Sequence, residues 1–399
     1  MALALPIPLA FWMGGLLVLL AGIAAALFSK IRPWLDLVDL RAWPILLVLV
    51  GVTILYTFML RGQSIFDEYL HIPLISTMAA GDIPPHFYLN PDYYYAYHFG
   101  IQLFAASLVR LGGFFPWSAW DISRGVAIAF TLILGWIWLR RLIGSGLGAG
   151  IGAFLLVFGG GTRWLLLALP EPWLDWITHN VNLVGSGLDT APTLLEALHR
   201  NWAFEGGGPL PVPFAFHNGI FVPVNFILGS TGALPYMIIL LLLLLLPTRQ
   251  FTRLGWISWS VIFAILALAA EHWFAFLWVG IALSLFVAIV KSRPTIQVLQ
   301  KPEIKQWLLI LGLSAGITLI QGGFITEVVR GIISRIFGLP VQSYHTFGFS
   351  LRWPPALPSA HLGSLSIANL GQLAALGAEL GPALLMLLLL ILWLPDQLK

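Results

Sequence analysis

The sequence predicts an all-α polytopic membrane protein with about nine transmembrane helices, interfacial helices and long outer loops. Three observations predict it. Hydrophobic residues make up 59% of the 399 and charged residues only 9%, against about 25% charged in soluble domains. Apolar runs of about 18–20 residues, the thickness of a bilayer core, recur along the chain. The charges gather in short clusters between those runs. A chain so composed has too little polar surface to coat a globule, and residues 1–399 read as a single transmembrane domain.

The clusters set the order of the elements. Residues 9–28 form a first helix leading to Lys30, Arg32 and Arg41, which belong inside. Lys30 is also the first positive charge, so the N-terminus lacks the basic region of a cleaved signal peptide and its apolar run reads as retained. A second helix, 43–60, emerges outside into a polar, proline-punctuated loop. Residues 98–113 are apolar but short and carry Arg110, so they read as an interfacial helix. Helix three, 122–139, returns inward to Arg140 and Arg141, and the glycine-rich 146–158 goes out again. The outer segment 159–229 is dense in Trp, Pro and Gly, and far longer than an ordinary loop. Within it 162–177, with Trp164, Trp173 and Trp176, reads as another interfacial helix. Helices 233–246, 255–269, 274–290 and 307–321 follow, with Glu271 and His272 at an outer rim. A second outer segment, 322–379, precedes a ninth helix, 381–394.

On this topology all nine histidines and thirteen of the 17 acids fall outside, all five lysines fall inside, and the eight outer basic residues are arginines. Arginine on the outer face suits recognition of a phosphate by a planar fork of donors, or equally the pairing of loop carboxylates. The absence of cysteine excludes disulfides. A net charge of +3 suggests no polyanionic partner. No nucleic-acid module is present, and membrane lipid is the expected surrounding. No charged residue falls mid-span, where an ion-coupled carrier needs one.

Residues 62–121 hold the first outer loop, read as the catalytic loop, with its interfacial helix. The stretch FDEYLHIPLISTMAAGDIPPHFYLNPDYYYAYHFG (66–100) packs four carboxylates (Asp67, Glu68, Asp82, Asp92), three histidines (His71, His86, His98) and Tyr93-Tyr94-Tyr95 into thirty-five residues. Asp67 and Glu68 diverge by about 100° on a helix, whereas Asp67 and His71 share a face. A carboxylate at the water–lipid boundary is placed to take a proton from a hydroxyl. The alternative is a solvated loop start whose acids cap a short helix. Asp82, between Gly81 and Ile-Pro-Pro, has a turn composition.

An acidic pair after an early outward helix, then Gly81-Asp-Ile-Pro-Pro85, the tyrosine run, an interfacial helix and a helix ending in two arginines, resembles the GT-C membrane glycosyltransferases. The PP…YYYxxHFG portion resembles a prokaryotic branch with a triple-tyrosine signature. The match covers roughly 43–160; the chain carries an extra helix before the loop and stops earlier than most members, as a fragment or a compact form would. The resemblance implies a GT-C-like fold and inverting transfer of a sugar from a polyprenyl-phosphate-linked donor to an acceptor. The expected place is the outer face of the cytoplasmic (inner) membrane, in the service of the cell envelope. It carries over Asp67 as general base; Glu68 beside it is read from its position as the second catalytic residue, with Glu68 or His71 helping to hold a divalent ion or the acceptor. Alternatives are a transporter or flippase for lipid-linked sugars and a non-catalytic assembly subunit of the same fold.

Expected substrate-binding residues are His71, Tyr94, Tyr95, His98, Arg124, Glu271, His272 and Arg352. Tyrosine faces suit sugar stacking or interfacial anchoring alike. Arg124 pairs with Asp121 at i, i+3 or faces the donor phosphate. Glu271 and His272 sit between two apolar helices that do not need them. Arg163, Arg330 and Arg352 are candidate phosphate ligands, Arg352 first. Asp67, Glu68 and His71 form the candidate set for a divalent ion, Mg or Mn by their hard oxygens.

Overall fold

The computed structural model describes residues 6–28, 43–61, 68–158, 162–185, 190–202, 212–217, 219–220, 232–246, 251–291, 301–340 and 353–381. Asp67, Arg352 and all but the first residue of the expected ninth helix lie outside them, as does the Glu68 side chain. The described chain is mostly helical, compatible with an all-α membrane protein, and falls into two compact units.

The first unit takes in Met1–Arg61, Tyr69–Ala153 and Thr231–Phe347. Its helices are α1 (Ile7–Phe28), α2 (Trp43–Leu60), α3 (Glu68–Ala80), α4 (Gly100–Gly112), α5 (Pro116–Ile143), α6 (Gly146–Phe158), α9 (Ala233–Leu244), α10 (Arg253–Ala269), α11 (Glu271–Lys291), α12 (Pro302–Ile320) and α13 (Phe324–Ile336). Three of these, α5, α11 and α12, are long and apolar enough to cross a membrane. Many of their large apolar side chains face outward, Phe276 and Phe286 of α11 among them, as lipid rather than water favours.

Helix α5 is the axis of this unit and packs on α2, α4 and α9. Gly125 allows the α2 contact: a Cβ there would lie 2.8 Å from the Thr53 carbonyl oxygen, too close for any side chain. Thr131 Oγ1 reaches the Ala233 carbonyl at 3.2 Å. The helix runs from Pro116, six residues before the expected start at 122. Pro116 fits a first helical turn, where no amide donor is needed, and Gly144 closes the other end with φ +75°. Asp121 and Arg124 therefore lie inside the helix. A second core gathers α9–α12 around Trp259, Phe263, Phe274 and Ile310. Indole donors cross it: Trp259 Nε1 to Leu242 O at 3.1 Å and Trp278 Nε1 to Leu311 O at 3.2 Å.

The second unit comprises Gly62–Glu68, Phe154–Ser230 and Gly348–Lys399. It brings 162–220 of the first long outer segment together with 353–381. Its helices are α7 (Glu171–Thr178), α8 (Leu194–Leu198) and α14 (Leu370–Leu380), with a 3₁₀ turn over Arg163–Ala168. The single helix expected over 162–177 is in fact two pieces, parted at Pro170, whose ring cannot continue a helix. Trp164, Trp173 and Trp176 all face outward. Leu166, Leu174, Ile177, Leu194, Trp202, Phe214, Leu362, Leu365 and Leu376 form the core. Side-chain amides stitch the segments: Asn369 Nδ2 donates to Asn180 Oδ1, and Gln372 Nε2 to Asn180 O, both at 2.9 Å.

Three antiparallel hairpins add to the all-α expectation: β1–β2 (His86–Phe87, Asn90–Tyr94), β3–β4 (Asn201–Trp202, Val212–Pro213) and β5–β6 (Ala356–Ser359, Gly363–Ser366).

Candidate functional site

Helix α3 opens the first loop and carries Pro73 in its interior. Proline has no amide proton, so the carbonyl four residues back, Tyr69 O, loses its helical donor. The Tyr88 hydroxyl donates to that carbonyl at 3.0 Å, which ties the hairpin β1–β2 to the helix. In the turn between them Asp82 accepts from the His86 backbone N–H at 2.7 Å and pairs with its ring Nδ1 at 2.6 Å. The chain then runs through Tyr95, buried between Phe87 and Tyr97, and delivers His98 to the start of α4.

Here distant stretches meet. His98 Nδ1 lies 3.1 Å from Glu271 Oε2, across 173 positions of sequence, and the His98 ring meets that of Tyr97 at 3.8 Å between centroids, tilted by 32°. One helical turn on, Gln102 faces inward and its Nε2 lies 2.9 Å from His71 Nδ1. The His71 ring rests against Trp120 at 4.7 Å, and the Arg124 guanidinium lies over the same indole at 5.0 Å. Arg124 is bonded through Nη2 to Asp121 Oδ1, and both are almost wholly buried. A buried pair of this kind is retained only with its partner in place.

Burial, then the charges of His98 and Arg124, push the His71 imidazole down to about 3. His71 is therefore neutral at pH 7. With Gln102 donating to Nδ1, its own proton sits on Nε2. The indole Nε1 of Trp120 and the Oε1 of Gln102, both buried, have no hydrogen-bond partner among the described residues.

Of the residues expected from sequence, His71, His98, Arg124 and Glu271 form this one connected cluster. Tyr94 is nearby in the chain but engaged elsewhere: His86 stacks on it at 4.3 Å and Arg330 lies over its ring at 4.4 Å. His272 is exposed beside Trp273. Asp67, Arg352 and the Glu68 side chain are outside the described residues. Among the described residues no three His, Asp or Glu side chains are arranged to hold a metal ion. His71 suits a hard cation poorly, being a buried nitrogen ligand already bound to Gln102 through Nδ1. Sequence reasoning missed Gln102 and Trp120. The available signal was Gln102 at i+4 from His98 on an otherwise apolar face.

The second unit holds its own buried network. Arg163 donates from Nε to Glu379 Oε1 at 2.7 Å and from Nη1 to Phe214 O at 3.0 Å, and its Nη2 approaches His361 Nδ1 at 3.2 Å. Glu379 Oε2 accepts from the Gly219 amide at 2.7 Å, and the His217 and His361 rings are 4.4 Å apart. Burial and the Arg163 charge push His217 down to about 4 and His361, with His217 added, to about 2. Burial lowers the Arg163 pKa too, against the opposing pull of Glu379. With its donors bound to protein acceptors, Arg163 is built as a cross-link of this unit rather than as a phosphate ligand.

No family model matches the chain, and neither a curated protein nor a solved structure matches it.

Proposed function

We propose that this chain is an integral membrane glycosyltransferase of the GT-C type, with about nine spans, that transfers a sugar from a polyprenyl-phosphate donor to a hydroxyl acceptor at the outer face of the cytoplasmic membrane. One observation carries the reading. His71, His98 and Arg124 come from three stretches of the chain, and burial first, then its two neighbours, keep the His71 imidazole neutral beside Gln102. A water-poor spot that offers a neutral imidazole N–H suits the phosphate of a lipid-linked donor. The carboxylate of Glu271 holds His98 in place there.

In this mechanism Asp67 takes the proton of the acceptor hydroxyl while its oxygen attacks the anomeric carbon from the face opposite the phosphate. The new C–O bond forms as the bond to the phosphate oxygen breaks, with inversion. The leaving polyprenyl phosphate keeps the electron pair. Its growing charge is met by His71 as a neutral N–H donor.

The test is transfer of radiolabelled sugar from polyprenyl-phosphate donors in membrane vesicles. The parent is expected to transfer label, and Asp67→Asn to lose at least about a hundredfold, the usual contribution of a positioned base. Equal transfer by the two removes Asp67 from its role. Movement of intact lipid-linked sugar across the vesicle without transfer selects the flippase reading instead.

A further inference from the structure

Helix α13, in the second outer segment, is not used by the mechanism above, and its polarity is reversed. Thr326, Glu327 and Ser334 are buried, while Ile332, Ile333 and Ile336 face outward. At the helical angle per residue, Val329, Ile332 and Ile336 share one side and Glu327, Arg330 and Ser334 the other. The polar side meets the first-loop hairpin: Glu327 pairs with Arg330, and the Arg330 guanidinium lies over Tyr94 of β2. The apolar side opens toward the C-terminus, where Ile336 and Phe337 are 72% and 73% exposed and Leu339 is exposed after them.

The helix is also held at a fixed place on α12, one of the three helices long and apolar enough to cross a membrane. α12 ends at Ile320, and Gly322 and Gly323 follow with φ +90° and +86°, a conformation that stops a right-handed helix. Thr326 fastens the turn: its hydroxyl donates to Thr318 O at 2.7 Å and accepts from the Gly322 amide at 3.1 Å. A Cβ on Gly322 would lie 2.6 Å from Pro84 Cβ, so the turn bears directly on the first loop. With 13 residues, α13 is about 20 Å long, well short of the roughly 30 Å of a bilayer core.

Two observations say what covers the apolar side. Leu319 and Ile320, at the end of α12, also face outward, so the lipid around the end of that span reaches α13 without a break. Residues 328–340 hold no acid but two arginines, and Arg335 is exposed beside Ile332 and Ile336 in the last turn. From there its aliphatic stem can lie along the acyl boundary and its guanidinium reach a phosphate. We propose that α13 is an interfacial anchor. The side bearing Ile332, Ile336 and Phe337 lies in the headgroup–acyl boundary of the leaflet where α12 ends. Arg335 meets a phospholipid phosphate, and the first-loop hairpin stands on the opposite, polar side. The anchor rests on α12 crossing the membrane and not on the transferase reading.

The chain has no cysteine, so a single introduced thiol carries a nitroxide at a chosen position of the full protein. Labels on Ile332→Cys, Ile333→Cys, Arg335→Cys, Ile336→Cys and Phe337→Cys are compared in liposomes of phosphatidylcholine and phosphatidylglycerol, with Leu339→Cys in place of any that does not fold. Power-saturation spectra are recorded with oxygen, which partitions into lipid, and with a water-soluble nickel chelate. The ratio of oxygen to nickel collisions is expected to be several-fold higher at Ile332 and Ile336 than at Arg335, with depths just beneath the phosphates. Adding Arg335→Gln to the Ile336→Cys protein is expected to raise nickel access to the label; unchanged access removes Arg335 from the anchor. Full nickel access at every position puts this side in water and overturns the proposal. Low access to both reagents puts protein against it, a second copy where spin–spin broadening appears and another segment of this chain where it does not; either overturns the proposal. Labels seated in lipid without sugar transfer in the vesicle assay keep the anchor and remove the transferase reading. Transfer with the labels in water removes the anchor alone.

Discussion

Acidification is expected to open the second unit. His217 and His361 lie 4.4 Å apart beside Arg163, and burial holds them neutral, at about 4 and about 2 against an ordinary 6.5. Both folded values are depressed, so below 6.5 the unfolded chain binds more protons than the folded one. Stability is complete above that pH and falls as the pH drops through about 4 toward about 2. At pH 4.5 each histidine has lost about two decades of proton binding relative to the unfolded chain, at 1.36 kcal/mol per decade. Together they withdraw about 5 kcal/mol, comparable to the whole stability of a small domain. Amide hydrogen exchange in detergent micelles at pH 7 and 4.5, corrected for intrinsic rates, reads this out. Protection over α8 and β5–β6 is expected to fall by between three and four orders of magnitude. His361→Gln, which keeps an acceptor for Arg163 but does not titrate, should halve the loss on a logarithmic scale. Protection in the second unit that holds within tenfold across that range refutes the account of a neutral, buried histidine pair.

Three further outcomes follow from the packing. Arg163→Met or Glu379→Gln alone strands a buried partner and is expected to cost about 3–5 kcal/mol. In thermal unfolding the double variant should lose less than the sum of the two. Gly125→Val drives a side chain into the Thr53 carbonyl, 2.8 Å from the Cβ position, and should destabilise by about 1–3 kcal/mol, seen as a lower melting temperature of the detergent-solubilised protein. Tyr88→Phe removes the donor to Tyr69 O and should cost about 0.5–1.5 kcal/mol. Adding Pro73→Ala restores an amide to that carbonyl and should recover the loss, which a denaturant titration can follow.

Sequence alone determined the helical, apolar character of the chain, because hydropathy and span length are local quantities that a bilayer reads directly. It also placed the end of α2 at Leu60 and the start of α6 at Gly146, and marked His71, His98, Arg124 and Glu271, since polar residues in an apolar chain are few enough to stand out. It read Pro170 as part of a helix, and gave no sign of the Tyr88 bond that rescues Tyr69 or of the hairpins inside the outer segments. Which polar groups meet was decided by the tertiary structure. His98 finds Glu271 across 173 positions, and Arg163 finds Glu379 across 216. Gln102 and Trp120 join the cluster because α4 and α5 turn those faces inward. Partnership of this kind has no local signature: a buried charge is tolerable only beside its counter-group, and the packing of helices against one another, not the order of residues, brings the two together.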